Sequence, residues 1–105
     1  MKPERNEKYL AWIRRQPCLV CSHRPCHAHH AGRRHMGQKP SDYTAVPLCP
    51  EHHVMGRYAY HVVGHNAFVR MYQIDFQHAI RELNRRWREH VESEISRRAA
   101  AGEFR

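Results

Sequence analysis

Apolar residues return with a helical period at both ends of the chain, and the middle carries strand-like alternation and turn punctuation. Tyr9, Leu10, Trp12 and Ile13 recur at helical spacing among charges, which predicts a short helix over residues 4–15, stopped by Pro17. Residues 26–30 alternate loosely, as in a strand, and residues 31–41 are polar with Gly32, Gly37 and Pro40, as in a loop. Residues 43–48 are rich in β-formers and predict a second strand. Pro50 suits the first turn of a helix that begins near Cys49, with a far end left open by Gly56 and Gly64.

Residues 66–101 read as helical. Phe76, Ile80, Leu83, Trp87, Val91 and Ile95 are three or four apart and form one apolar stripe, with Asp75 placed to cap its start and residues 99–102 expected to fray. The stripe fits either packing on the Tyr9–Ile13 helix or a homodimer contact. The pattern as a whole gives one α+β domain over residues 1–105: an N-terminal helix, a core over 17–65 and a long C-terminal helical segment.

Composition changes this picture in one respect. The mean hydropathy of −0.87 is low for a 105-residue chain that must support its own core, which leaves disorder, partner-assisted folding, or a staple such as a metal or disulfide. Between residues 18 and 53, 11 of 36 residues are Cys or His, a density that metal binding explains and secondary-structure propensity does not. Residues 1–8 lack an apolar signal segment, so a cytoplasmic protein with reduced cysteines is expected, and ligation is favoured over disulfides. No apolar run is long enough to span a membrane.

Charge adds a partner. The net charge is +8, and residues 1–40 hold nine basic and two acidic side chains, a net of +7. Most of the cations are arginines, which suit forked contacts to phosphate oxygens, so a nucleic acid is the expected partner. Arg33, Arg34 and Lys39, on a glycine-bearing loop, are the candidates for backbone phosphate contacts. Arg81, Arg85 and Arg88 are a lesser set on the C-terminal helix.

Cys18-x-x-Cys21 sets two thiolates on a tight turn, and Cys49-x-x-His52 sets a thiolate and an imidazole on the first turn of a helix. Together they make a closed Cys3His set, the form of a structural Zn2+ site, with Cys26 as a spare thiol. His29 and His30 follow one another on the first predicted strand, where neighbours point to opposite sides, so a bend at Gly32 or a bulge is needed for both to reach one centre. Joined by His53, they would form a group with an open coordination position and a nearby imidazole. That is the equipment of metal-assisted phosphodiester hydrolysis: a cation on the phosphate and a base for the water.

The run Cys18-x-x-Cys21, Ala28-His29-His30, Met36-Gly37-x-Lys39-x-Ser41-Asp42 and Val46-Pro47-Leu48-Cys49-x-x-His52-His53 resembles the HNH nucleases. It is most similar to their small phage and prophage branch, which includes the recombination enhancement function nucleases, over residues 17–76. The resemblance implies a zinc-stapled ββα-metal fold and a DNA endonuclease that nicks or cuts with low specificity. It implies His29 and His53 as ligands of a catalytic divalent cation such as Mg2+, Mn2+, Ni2+ or Zn2+, and His30 as general base. The family's middle Asn is absent, and Asp42 is the candidate to orient the base or to ligate the ion.

Relatives of this branch often show His-His-x-x-x-His, but four residues after His53 stands Arg57, and the next histidine is His61. On an ideal helix His61 would lie about 12 Å from His53, too far for one ion. Either a break near Gly56 brings His61 in as a ligand, or Arg57 serves as a phosphate clamp. The alternative to the nuclease is a zinc-stapled DNA-binding module without catalysis, which would hold a single metal ion. The remaining histidines read more plainly: His23, His27 and His35 as phosphate contacts, and His65, His78 and His90 as surface or packing residues.

Overall fold

A computed structural model describes residues 4–32 and 40–102. The elements run α1 (Glu7–Arg14), β1 (His27–His30), a 3-10 turn (Asp42–Thr44), β2 (Ala45–Leu48), a π-helical turn (Glu51–Met55), α2 (Tyr60–Val63), α3 (His65–Tyr72) and α4 (Phe76–Ala100). The fold is α+β, with a two-stranded antiparallel sheet. Its register pairs His27 with Leu48, Ala28 with Pro47, His29 with Val46 and His30 with Ala45. Arg33, Arg34 and Lys39, the expected phosphate contacts, lie outside the described residues, as does His35. Among the described residues no helix is long and apolar enough to cross a membrane.

β2 is the axis of the core. All four of its residues are buried, although Pro47 has no N–H to give to a ladder. Its carbonyl is used instead, accepting from the Leu19 amide at 3.1 Å, so the Cys18–Cys21 turn is tied directly to the strand. Over this strand pack Tyr9, Trp12 and Ile13 of α1, Phe68 of α3, and Phe76 and Leu83 of α4.

α1 starts later than its apolar pattern suggests. Asn6 caps it, its side-chain oxygen accepting from the Tyr9 amide at 3.1 Å. Residues 4–6 are therefore outside the helix, which frees the Asn6 amide and the Glu4 carbonyl to bind Asp42. The second strand also starts later, at Ala45, because Ser41 accepts from the Tyr43 amide and turns residues 42–44 into a single 3-10 turn.

The C-terminal helical stretch is two helices. Gln73, in the left-handed conformation, ends α3, and Asp75 caps α4 by accepting from the His78 amide at 3.0 Å. Along α4 the apolar stripe has two fates. Trp87 meets Tyr9 edge-on and Trp12 at a tilt, with ring centroids 5.3 and 5.5 Å away, while Ile95 is exposed beyond the core. The helix runs on to Ala100 without fraying earlier. On its outer face Arg85 is held between Glu82 and Glu89.

Candidate metal centres and the histidine cleft

Cys18, Cys21, Cys49 and His52 come together, their ligand atoms all within 4.8 Å of one another. The Cys21 and Cys49 sulfurs are 3.7 Å apart, and Cys49 Sγ lies 3.3 Å from His52 Nδ1. A tetrahedral Zn2+ site with its usual bond lengths places two sulfurs about 3.8 Å apart and a sulfur and a nitrogen about 3.5 Å apart. The side chains thus stand at ligand spacing, and this Cys3His cluster can hold a metal ion such as zinc. Cys26 is not part of it. The buried Cys26 thiol donates to the His23 carbonyl at 3.2 Å, and burial followed by the neighbouring thiols pushes it up to about 12, so it remains a thiol.

His52 and His53 are neighbours in sequence but face different centres. Successive side chains on a helical turn diverge by about 100°, so His52 closes the cysteine cluster while His53 turns toward β1. The turn itself is wide. The Gly56 amide closes back on the Glu51 carbonyl at 2.8 Å, five residues earlier, and a side chain at position 56 would meet that carbonyl at 2.6 Å. Gly56 then releases the chain into an extended conformation, and α2 begins afresh at Tyr60. This break folds His61 back onto His53, Nε2 to Nε2 at 3.2 Å, where a continuous helix would have kept them apart.

His29, His53 and His61 form the second cluster, again with ligand atoms within 4.8 Å of one another. His29 is 6% exposed, and its Nε2 is buried without a hydrogen-bond partner, an unusual state for a polar atom. Burial, then His53 and His61, push His29 down to about 3, and burial, then His61 and His27, push His53 down to about 4. At neutral pH both rings are uncharged and present lone pairs, as metal ligands must. An orphaned buried nitrogen among converging imidazoles fits a divalent ion well.

His30 is not in this trio. β1 alternates as a strand should: His27 and His29 share the face that meets His53, and His30 turns to the other side. There its Nε2 is 2.9 Å from Asp42 Oδ1. Asp42 is 4% exposed and also accepts from the Asn6 amide at 2.7 Å and from Arg5 at 3.2 Å. Burial alone would raise its carboxyl, but the bonds from His30, Asn6 and Arg5 outweigh burial and hold it below the usual carboxylate range. Of the two candidate completions of the histidine set, His61 is the residue beside His29 and His53, and Asp42 is the partner of His30. Arg57 lies on the exposed turn before α2.

The trio and His30 open onto one cleft of about 430 Å³, lined by His29, His30, His53, His61, Tyr60 and Gly32 among others, with Asp42 buried behind His30. Tyr60 packs against His29 in this lining, with their ring centroids 4.2 Å apart. Sequence reasoning left His27 among the phosphate contacts and did not single out Arg5 or Asn6. The i, i+2 spacing of His27 and His29 was a legible signal for the first; the other two had none.

A model of the family described as "Protein of unknown function (DUF968)" matches residues 1–85. The chain is 40% identical over 50 residues to "Uncharacterized protein YdfU" of Escherichia coli (strain K12). That match covers 45% of this chain and 14% of the relative, so the shared stretch is a small part of that longer protein. No solved structure matches the chain.

Proposed function

We propose that this chain, which belongs to the DUF968 family, is a metal-dependent DNA endonuclease of the HNH, ββα-metal kind. The observation that carries the reading is the buried, unpartnered Nε2 of His29, converging with His53 and His61 in an open cleft that His30, paired with the buried Asp42, also lines. The Cys3His cluster is the staple that holds β2 and the π-helical turn together, which keeps His53 in register with His29.

His29, His53 and His61 would hold the catalytic cation. When bound, that ion supplies charge stabilisation at the scissile phosphate. His30 is the general base. Asp42, an ionised acceptor, takes the Nε2 proton of His30 in a hydrogen bond and leaves Nδ1 as the bare nitrogen that removes a proton from water. Asp42 thereby performs the orienting role, the pattern of a carboxylate fixing a catalytic imidazole. The basic segment and Arg57 would contact the phosphate backbone, giving affinity without sequence preference.

The test is nicking of supercoiled plasmid by the zinc-loaded protein with Mg2+, Mn2+, Ni2+ or added Zn2+, against His30→Ala and a chelator control. Metal-dependent nicking lost in His30→Ala supports the reading. No nicking in any metal, or equal rates in wild type and variant, rejects it. The +7 charge of residues 1–40 favours a second reading, a zinc-stapled DNA-binding module. It predicts salt-dependent DNA retention, unaltered DNA and one metal ion per chain in place of two.

A further inference from the structure

His53 has both ring nitrogens engaged. Its Nε2 faces His61 at 3.2 Å, within the trio, and its Nδ1 is 2.8 Å from Nδ1 of His27, an exposed residue whose ring stands at 70° to that of His53. We propose that His27 is a positioning residue that fixes the orientation and tautomer of His53 for a divalent ion; this rests on the reading of His29, His53 and His61 as its ligands.

A neutral imidazole carries one proton on two nitrogens. If Nε2 of His53 presents its lone pair to the ion, the proton is on Nδ1, and the 2.8 Å contact is that N–H donating to the bare Nδ1 of His27. The opposite assignment, with His27 donating, would put the His53 proton on Nε2, where it would displace the lone pair that the trio needs. Water can carry the remaining proton interaction of His27, because that residue is exposed.

The strand makes the arrangement economical. His27 and His29 are two residues apart on β1 and lie on the same face, so one strand delivers both a ligand and the group that orients a second ligand. The register sets His27 opposite Leu48, immediately before the Cys49 ligand pair, which fixes its distance to the π-helical turn. Metal-bound histidines commonly give their second N–H to a carboxylate or a carbonyl; here an imidazole takes that place.

Loss of such a partner lowers metal affinity by roughly 10–100-fold. His27 is exposed and water can replace it in part, so a loss of about tenfold is expected. The experiment titrates Ni2+ calorimetrically into the zinc-loaded 105-residue chain. It compares wild type with His27→Phe, which keeps the ring without an acceptor, and His27→Asn, whose Oδ1 stands near the position of Nδ1. His29→Ala serves as the control that removes the site, and retained zinc content with an unchanged circular dichroism spectrum reports folding.

Support for the proposal is one Ni2+ per chain in wild type, absent in His29→Ala, about tenfold weaker in His27→Phe and restored to within threefold by His27→Asn. Equal affinity in wild type and His27→Phe overturns the positioning role and leaves the metal site standing. Equal weakening in His27→Phe and His27→Asn also overturns it, since bulk rather than the acceptor would then matter. Absence of any His29-dependent ion in wild type overturns the parent reading and the positioning role together.

Discussion

Replacing Asp42 by Asn tests the link between the fold and the proposed chemistry in one atom. The side chain keeps its shape and loses its charge and one acceptor. In the native arrangement Oδ1 accepts from His30 and Arg5 and Oδ2 from the Asn6 amide. An amide group cannot serve all three. Its oxygen stays with the Asn6 amide, the shortest and least adaptable of the bonds, and its NH2 group then faces His30 and Arg5. Arg5, half-exposed, retains the Pro40 carbonyl at 2.7 Å but loses its carboxylate. Two charge-assisted bonds are reduced to neutral ones and one part-buried ion pair is lost, together about 2–3 kcal/mol. For a domain of this size that lowers the thermal midpoint by roughly 10–15 °C.

The effect on catalysis follows from the tautomer. The NH2 group of the substituted side chain donates to Nε2 of His30, which moves the ring proton to Nδ1 and removes the lone pair that would take a proton from water. Loss of a general base costs on the order of 10²–10⁴ in rate. The assay pairs calorimetric melting with plasmid nicking at matched zinc content and at a temperature where both proteins are folded. A variant that melts within 2 °C of wild type would refute the bonding argument, and one that nicks within threefold would refute the tautomer argument. The melting result stands whether or not the protein cuts DNA.

Cys21→Ser should abolish stable folding: a structural zinc contributes on the order of 10 kcal/mol, comparable to the whole stability of a small domain, so zinc content and native circular dichroism should vanish together. Folded, zinc-free protein would be the contrary result. Gly56→Ala puts a Cβ 2.6 Å from the Glu51 carbonyl and forces the turn to open, with an expected cost of about 1–3 kcal/mol and displacement of His61; Ni2+ affinity should fall while Zn2+ is retained, and unchanged affinity would contradict it. Acid should destabilise the metal-free histidine cluster. His29 is held near 3 in the fold and returns to about 6.5 when unfolded, so below pH 6.5 the unfolded chain binds a proton that the fold does not. Stability is therefore full above pH 6.5 and declines as pH falls, by up to about 1.4 kcal/mol per pH unit from this group. Urea titrations between pH 7 and 4.5 should show a steeper decline for wild type than for His29→Gln, and parallel lines would count against the burial argument.

Local spacing made part of the molecule legible. Two chelating pairs, each on a tight turn, specify their ligands almost without reference to the rest of the chain, and Cys18, Cys21, Cys49 and His52 do converge. The apolar stripe of α4 and its Asp75 cap were equally local, because helical periodicity and capping act over three or four residues. The alternation rule also held, sending His29 and His30 to opposite sides, but it left open what each would meet.

What each histidine meets was decided by long-range geometry. Three events had to coincide for the trio: a π-helical turn closed by Gly56, a restart at Tyr60, and an antiparallel register that sets His29 opposite Val46. Each depends on small differences in backbone energy, and together they turn the separation of His53 and His61 from a helical rise into a contact. Asp42, besides His30, draws two partners from the residues before α1, 36 and 37 positions away, a pairing with no local signature. The sequence by itself determined which side chains are able to ligate a metal ion, because residue type and short-range spacing are encoded locally. Only the tertiary structure decided which of them meet, because that depends on where a turn breaks and how two strands align.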